Sequence, residues 1–144
     1  DVYTDPSTKV NGVGGVFFKS ENPQELKKWY EEHLGFRTDQ WGTMFISRDT
    51  YNPTGRKYLQ WSPFHHQTTY FQPSDKDFMI NYTVKNIITL KASLDEAGVT
   101  ILDEIAEYEY GKFLHIVDLE GNKIELWEPP LGNETDDVIA RATY

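Results

Sequence analysis

The sequence predicts an α+β fold made of two tandem βαβββ modules. A β-hairpin near the C-terminus, two well-capped helices and a spacing that repeats between the halves carry this prediction. From strand to helix cap, Gly15 to Asn22 matches Met79 to Asn86, displaced by 64 at both ends (79 − 15 and 86 − 22). Further on, Lys57-Tyr-Leu-Gln-Trp-Ser-Pro63 matches Lys123-Ile-Glu-Leu-Trp-Glu-Pro129, displaced by 66 (123 − 57). Chance explains one short match; two ordered matches at nearly one spacing indicate a duplicated unit.

Residues 1–10 are polar and unpatterned and read as a flexible N-terminal arm. Val13 to Lys19 alternates as a strand, with Gly15, Phe17 and Lys19 on one face and Val16 and Phe18 on the other. Asn22-Pro23-Gln24-Glu25 starts a helix: Asn22 caps, proline suits the first turn, and Glu25 stands three residues on. Leu26, Trp29, Tyr30 and Leu34 form its apolar stripe, and Gly35 stops it. Shorter β-like pieces cover Phe36–Trp41, Thr43–Ser47 and Arg56–Pro63, with Tyr51–Gly55 looping between the last two. Module one thus spans about 11–64.

A polar connector, 65–77, leads to module two, 78–130. Phe78–Val84 is a strand with Met79, Asn81 and Thr83 on one face. Asn86 caps a second helix with the stripe Ile87, Leu90, Leu94 and Ala97, closed by Gly98. The acidic run from Asp103 to Glu109 reads as a solvated edge, and acidic edges discourage strand aggregation. Lys112–Val117 and Lys123–Trp127 flank the turn Asp118–Asn122, where Gly121 and Asn122 tolerate positive φ. Pro129 and Pro130 end the second strand. If Leu114, Ile116, Ile124 and Leu126 share one side of the hairpin, His115 and Glu125 share the other. Residues 131–144 form a tail, with one short helix over Thr135–Arg141.

With 144 residues, the chain makes one domain. Its net charge of −9 disfavours nucleic acid and anionic membranes as partners. The absence of cysteine excludes disulfides, thiolate metal sites and a cysteine nucleophile. No apolar run reaches the length of a membrane span, so a cytoplasmic protein is the expectation.

The pattern Asp118-x-x-Gly121-Asn122-x-Ile124-Glu125-Leu126, with the duplicated unit, resembles the vicinal oxygen chelate superfamily. That superfamily includes glyoxalase I, extradiol dioxygenases and bleomycin-resistance proteins. The resemblance covers about residues 11–130 and implies a curved, partly closed sheet around a shared pocket. It also implies metal-ligand positions at Gly15, Leu59, Met79 and Glu125. Glycine and leucine cannot ligate, and a thioether suits hard divalent ions poorly. One carboxylate does not make a metal site, so no metal and no other cofactor is expected. A slip of one residue on the third strand would bring Gln60 in place of Leu59. His115, ten residues before Glu125, falls where extradiol dioxygenases carry a pocket-facing tyrosine.

Lys19, Asn81 and Thr83 are then polar anchors in a pocket walled by Phe17, Leu59, Trp61, Met79, Phe113 and Trp127; plain packing is the competing reading for each. His65 and His66 read as a solvated loop pair, and His33 as a partner of its helix C-terminus. Two functions follow from the resemblance. One is a metal-free protein that binds an aromatic or amphipathic small molecule. The other is a lyase or isomerase resembling lactoylglutathione lyase, with Glu125 as general base or metal ligand and His115 beside it. A homodimer is expected in either case.

Overall fold

The computed structural model describes residues 9–48 and 55–130. Its elements are β1 (Val10–Ser20), α1 (Pro23–Leu34), β2 (Thr43–Arg48), β3 (Arg56–His65), β4 (Phe78–Val84), α2 (Ile87–Glu96), β5 (Thr100–Ile101), β6 (Ala106–Tyr108), β7 (Gly111–Val117) and β8 (Lys123–Glu128). Most of the expected arm, the loop over 51–54 and the tail lie outside the described residues. Val10, assigned to the arm, instead begins β1.

Both modules follow one plan. β1 runs parallel to β3, β4 runs parallel to β8, and the modules join where β1 meets β4 antiparallel. The eight-stranded sheet has the order β2-β3-β1-β4-β8-β7-β5, with β6 on β7. It is an open sheet, not the partly closed one expected. Among the described residues module one supplies three strands, because Phe36–Trp41 forms none. The buried Lys27 explains this. Its Nζ donates to the carbonyls of Asp39 and Gln40 at 2.9 and 3.3 Å, while the Asp39 carboxylate accepts from the Trp41 and Gly42 amides. The segment is thereby tied into a turn, and its backbone is not offered to the edge of β2.

Asn22 and Asn86 cap the two helices in the same way, each accepting at 3.1 Å from the amide three residues on. Gly35, at φ 74°, ends α1 in the left-handed region that favours glycine. The expected stripe of α1 needs correction: Trp29 and Leu34 are exposed, and the helix rests on Trp61 through Tyr30, with ring centroids 4.5 Å apart. In α2, Ile87 and Leu90 are buried while Ala97 is exposed. Ile87 and Leu90 join Val84, Leu114, Ile116 and Leu126 in the main core. Both helices cover one face of the sheet. The other face carries the chemistry.

Candidate functional site

Side chains of register partners point to the same side of a sheet. Following the partners across the strands gives one row on the helix-free face: Met44, Gln60, Gly15, Asn81, Glu125 and His115. Phe17 and Met79 lie on one side of this row, under Phe64 and Phe71. Tyr58, Thr83, Trp127 and Phe113 lie on the other. The turn over 118–122 sets the hairpin register: the Asp118 carboxylate accepts from the amides of Glu120 and Asn122. Asn122 bonding holds the exposed Asp118 carboxyl below its ordinary value.

Glu125 is buried and has three donors. Tyr70 Oη donates to Oε2 at 2.5 Å, His115 Nε2 stands 2.7 Å from the same oxygen, and Asn81 Nδ2 donates to Oε1 at 2.7 Å. On its other side, His115 Nδ1 lies 2.6 Å from Asp103 Oδ2, and the His115 amide donates to Asp103 Oδ1. An ionised carboxylate only accepts, so with Asp103 and Glu125 both ionised the two ring nitrogens carry hydrogen and His115 is an imidazolium. Burial alone pulls its pKa down, but hydrogen bonds and charge from Glu125 and Asp103 outweigh this and leave it raised. Burial, then the Glu125 charge and hydrogen bond, push the Tyr70 phenol far up, so it stays a donor. Lys123 donates to the Tyr70 carbonyl at 2.6 Å and lies over its ring at 4.9 Å, fixing the connector in place.

Phe17, Met79, Asn81, Thr83, Phe113 and Trp127 all lie on this face, as their alternation predicts. Leu59 and Trp61 do not. β3 pairs Gly15 with Gln60, so Leu59 and Trp61 turn toward the helices, where Trp61 packs on Tyr30 and Phe36. Gln60 takes the facing position. The matched segments, aligned at a displacement of 66, put β3 out by one residue. Lys19 sits at the rim, 4.0 Å from Asp77 and not paired with Glu125. Thr83 donates to Asn11 at 2.6 Å. His65 and His66 form an exposed pair. Gly14 permits the tight centre: a Cβ there would stand 2.4 Å from Asn81 Oδ1 and 3.0 Å from Trp127.

Tyr70 and Asp103 were missed from sequence. Tyr70 lies 55 residues from Glu125 in an aperiodic connector, and its signal was an aromatic pair, Tyr70-Phe71, within a polar run. Asp103 was assigned to a solvated edge, and its side chain is indeed 43% exposed.

The fold of the chain resembles that of solved structures along nearly their whole length. A Streptomyces coelicolor methylmalonyl-CoA epimerase is 15% identical, with a TM-score of 0.62, over 85% of this chain and 100% of that one. A Mycobacterium tuberculosis methylmalonyl-CoA epimerase is 16% identical, with a TM-score of 0.58, over 90% and 94%. A glyoxalase/bleomycin resistance protein/dioxygenase superfamily member from Vibrio splendidus 12B01 is 12% identical, with a TM-score of 0.51, over 83% and 99%. These likenesses show a fold shared with those structures. No family model matches the sequence, and no curated protein does.

At the ligand positions the resemblance implies, Gly15 and Met79 supply no suitable ligand and Leu59 turns toward the helices, while both oxygens of Glu125 already accept protein hydrogen bonds. Among the described residues no group of three or more His, Cys, Asp or Glu is arranged to hold a metal ion. Among them, too, no helix is long and apolar enough to cross a membrane.

Proposed function

We propose that this chain binds an aromatic or amphipathic small molecule on its helix-free face, without a metal. One observation carries the reading: the Glu125 carboxylate is held inside the protein by His115, by Tyr70 and by Asn81. A carboxylate so engaged anchors a site and does not await a metal ion. The aromatic row of Tyr58, Phe113 and Trp127 supplies the apolar wall that small-molecule sites use. A homodimer belongs to the same reading. Native mass spectrometry of protein purified without chelator tests all three parts. A co-purifying organic mass, no metal and a dimer are expected; stoichiometric zinc, nickel, iron or manganese would overturn the metal-free reading.

A second reading has its own observation. Asp103, His115 and Glu125 form a chain from a half-exposed carboxylate to a buried one, a path along which a proton can move. An isomerase or lyase with Glu125 as general base would use it once Tyr70 moved aside. Glu125→Gln separates the readings. As a binding anchor, the change weakens affinity modestly. As a base, it abolishes exchange of a substrate proton with solvent deuterium and leaves binding nearly intact.

A further inference from the structure

The unpaired polar atoms of the helix-free face belong to one chemical class. Among the described residues no donor reaches Gln60 Oε1 or Asn81 Oδ1, and both atoms are buried. Asn81 is 2% exposed, so its free carbonyl is held out of water. Buried acceptors left unpaired are costly and call for a donor. The donors nearby are committed. Gln60 Nε2 donates to Ser62 at 2.9 Å, Asn81 Nδ2 to Glu125, Trp127 Nε1 to the Tyr110 carbonyl at 2.9 Å, and Lys123 to the Tyr70 carbonyl. His115 spends both nitrogens on carboxylates.

Aromatic faces adjoin those acceptors. Phe113 stacks on Trp127, with centroids 6.0 Å apart and planes 7° apart, and Tyr58 tilts against Trp127 at 6.2 Å. Met44, Tyr110 and Phe113 in this cluster are only partly buried, so it opens to solvent. The Gly14 geometry puts Asn81 Oδ1 beside the Trp127 ring. The charge is one-sided too. Residues 78–130 carry four lysines against ten Asp and Glu, whereas residues 11–64 carry seven Lys and Arg against six Asp and Glu. Burial raises the Tyr110 pKa, and the charge of Glu125 adds to this.

We infer that the ligand of this face is an organic cation: a protonated amine on a flat apolar body. Its N–H groups pair with Gln60 Oε1 and Asn81 Oδ1, and its charge lies against the ring of Phe113, the partly exposed partner of Trp127. The inference rests on the binding reading above and narrows it.

Calorimetric titration of the full chain at neutral pH with three matched indoles tests it: tryptamine, neutral tryptophol and anionic indole-3-propionate. Tryptamine should bind about tenfold tighter than tryptophol, and indole-3-propionate weakest. Gln60→Met should cut the preference for tryptamine over tryptophol to about threefold or less. Phe113→Leu, which keeps an apolar side chain without the ring, should cut it likewise; circular dichroism confirms that each variant is folded. Equal or tighter binding of tryptophol or indole-3-propionate would overturn the cation and leave the binding reading standing. Failure of all three to bind at millimolar concentration counts against both. A tryptamine preference unchanged in both variants would overturn this placement of the amine.

Discussion

In module one the row across the helix-free face reads Met44, Gln60, Gly15; in module two it reads Asn81, Glu125, His115. The backbone plan is the same on both sides of the β1–β4 seam. One half is neutral and the other holds a carboxylate, an imidazolium and, through Asp103, a second carboxylate. The difference shows that duplication supplies a scaffold without supplying a symmetric site. A symmetric metal site would need ligands from both halves. Here Glu125 finds its partners within module two and the connector, and module one contributes packing and one unpaired carbonyl.

Mutation of matched positions is the strongest way to break this contrast. Glu125→Leu leaves His115, Tyr70 and Asn81 without their acceptor and should cost about 3–5 kcal/mol. Gln60→Leu, in the same row of module one, should cost about 1 kcal/mol or less, since it also removes an unpaired buried carbonyl. Urea denaturation at neutral pH measures both, and equal losses would erase the distinction between the halves. Tyr70→Phe comes next. It deletes one hydroxyl bonded to a charged acceptor and should cost about 2 kcal/mol in the same assay.

The pH dependence sharpens the comparison further. The folded-state pKa of His115 is raised above the ordinary 6.5, so its pairing stabilises the fold fully below about pH 6.5. That contribution is lost as pH rises through the folded value. The urea midpoint should therefore fall from about pH 6.5 upward, and His115→Gln should flatten that slope. The smallest effect belongs to Asp103→Asn. Because Asp103 is partly exposed, solvent screening holds its cost to about 1 kcal/mol or less, while the His115 pKa moves down. An unchanged pKa in that variant would remove Asp103 from the network.

Much of this was legible in the sequence because it follows from short-range rules. The period of two placed Met79, Asn81 and Thr83 together, the Asp118–Asn122 turn paired His115 with Glu125, and the two asparagine caps marked equivalent helix starts. The facing of β3 was not legible. Leu59, Gln60 and Trp61 all suit a half-buried strand, and the register comes from pairing with β1, 45 residues away (60 − 15). For the same reason Tyr70 escaped: nothing local marks a connector residue that closes a site through a single hydroxyl. The turn at 36–41 was misread as a strand because its stabilising group, Lys27, lies on the preceding helix and outside that segment's own pattern.

The most direct test of the account is the protonation state of His115, read by long-range proton–nitrogen correlation spectra of protein labelled at histidine nitrogen. At pH 7, in metal-free buffer, both ring nitrogens of His115 should carry hydrogen, with a titration midpoint above 6.5. A single neutral tautomer at pH 7, or a midpoint below 6.5, would contradict the claim that this imidazolium balances Glu125.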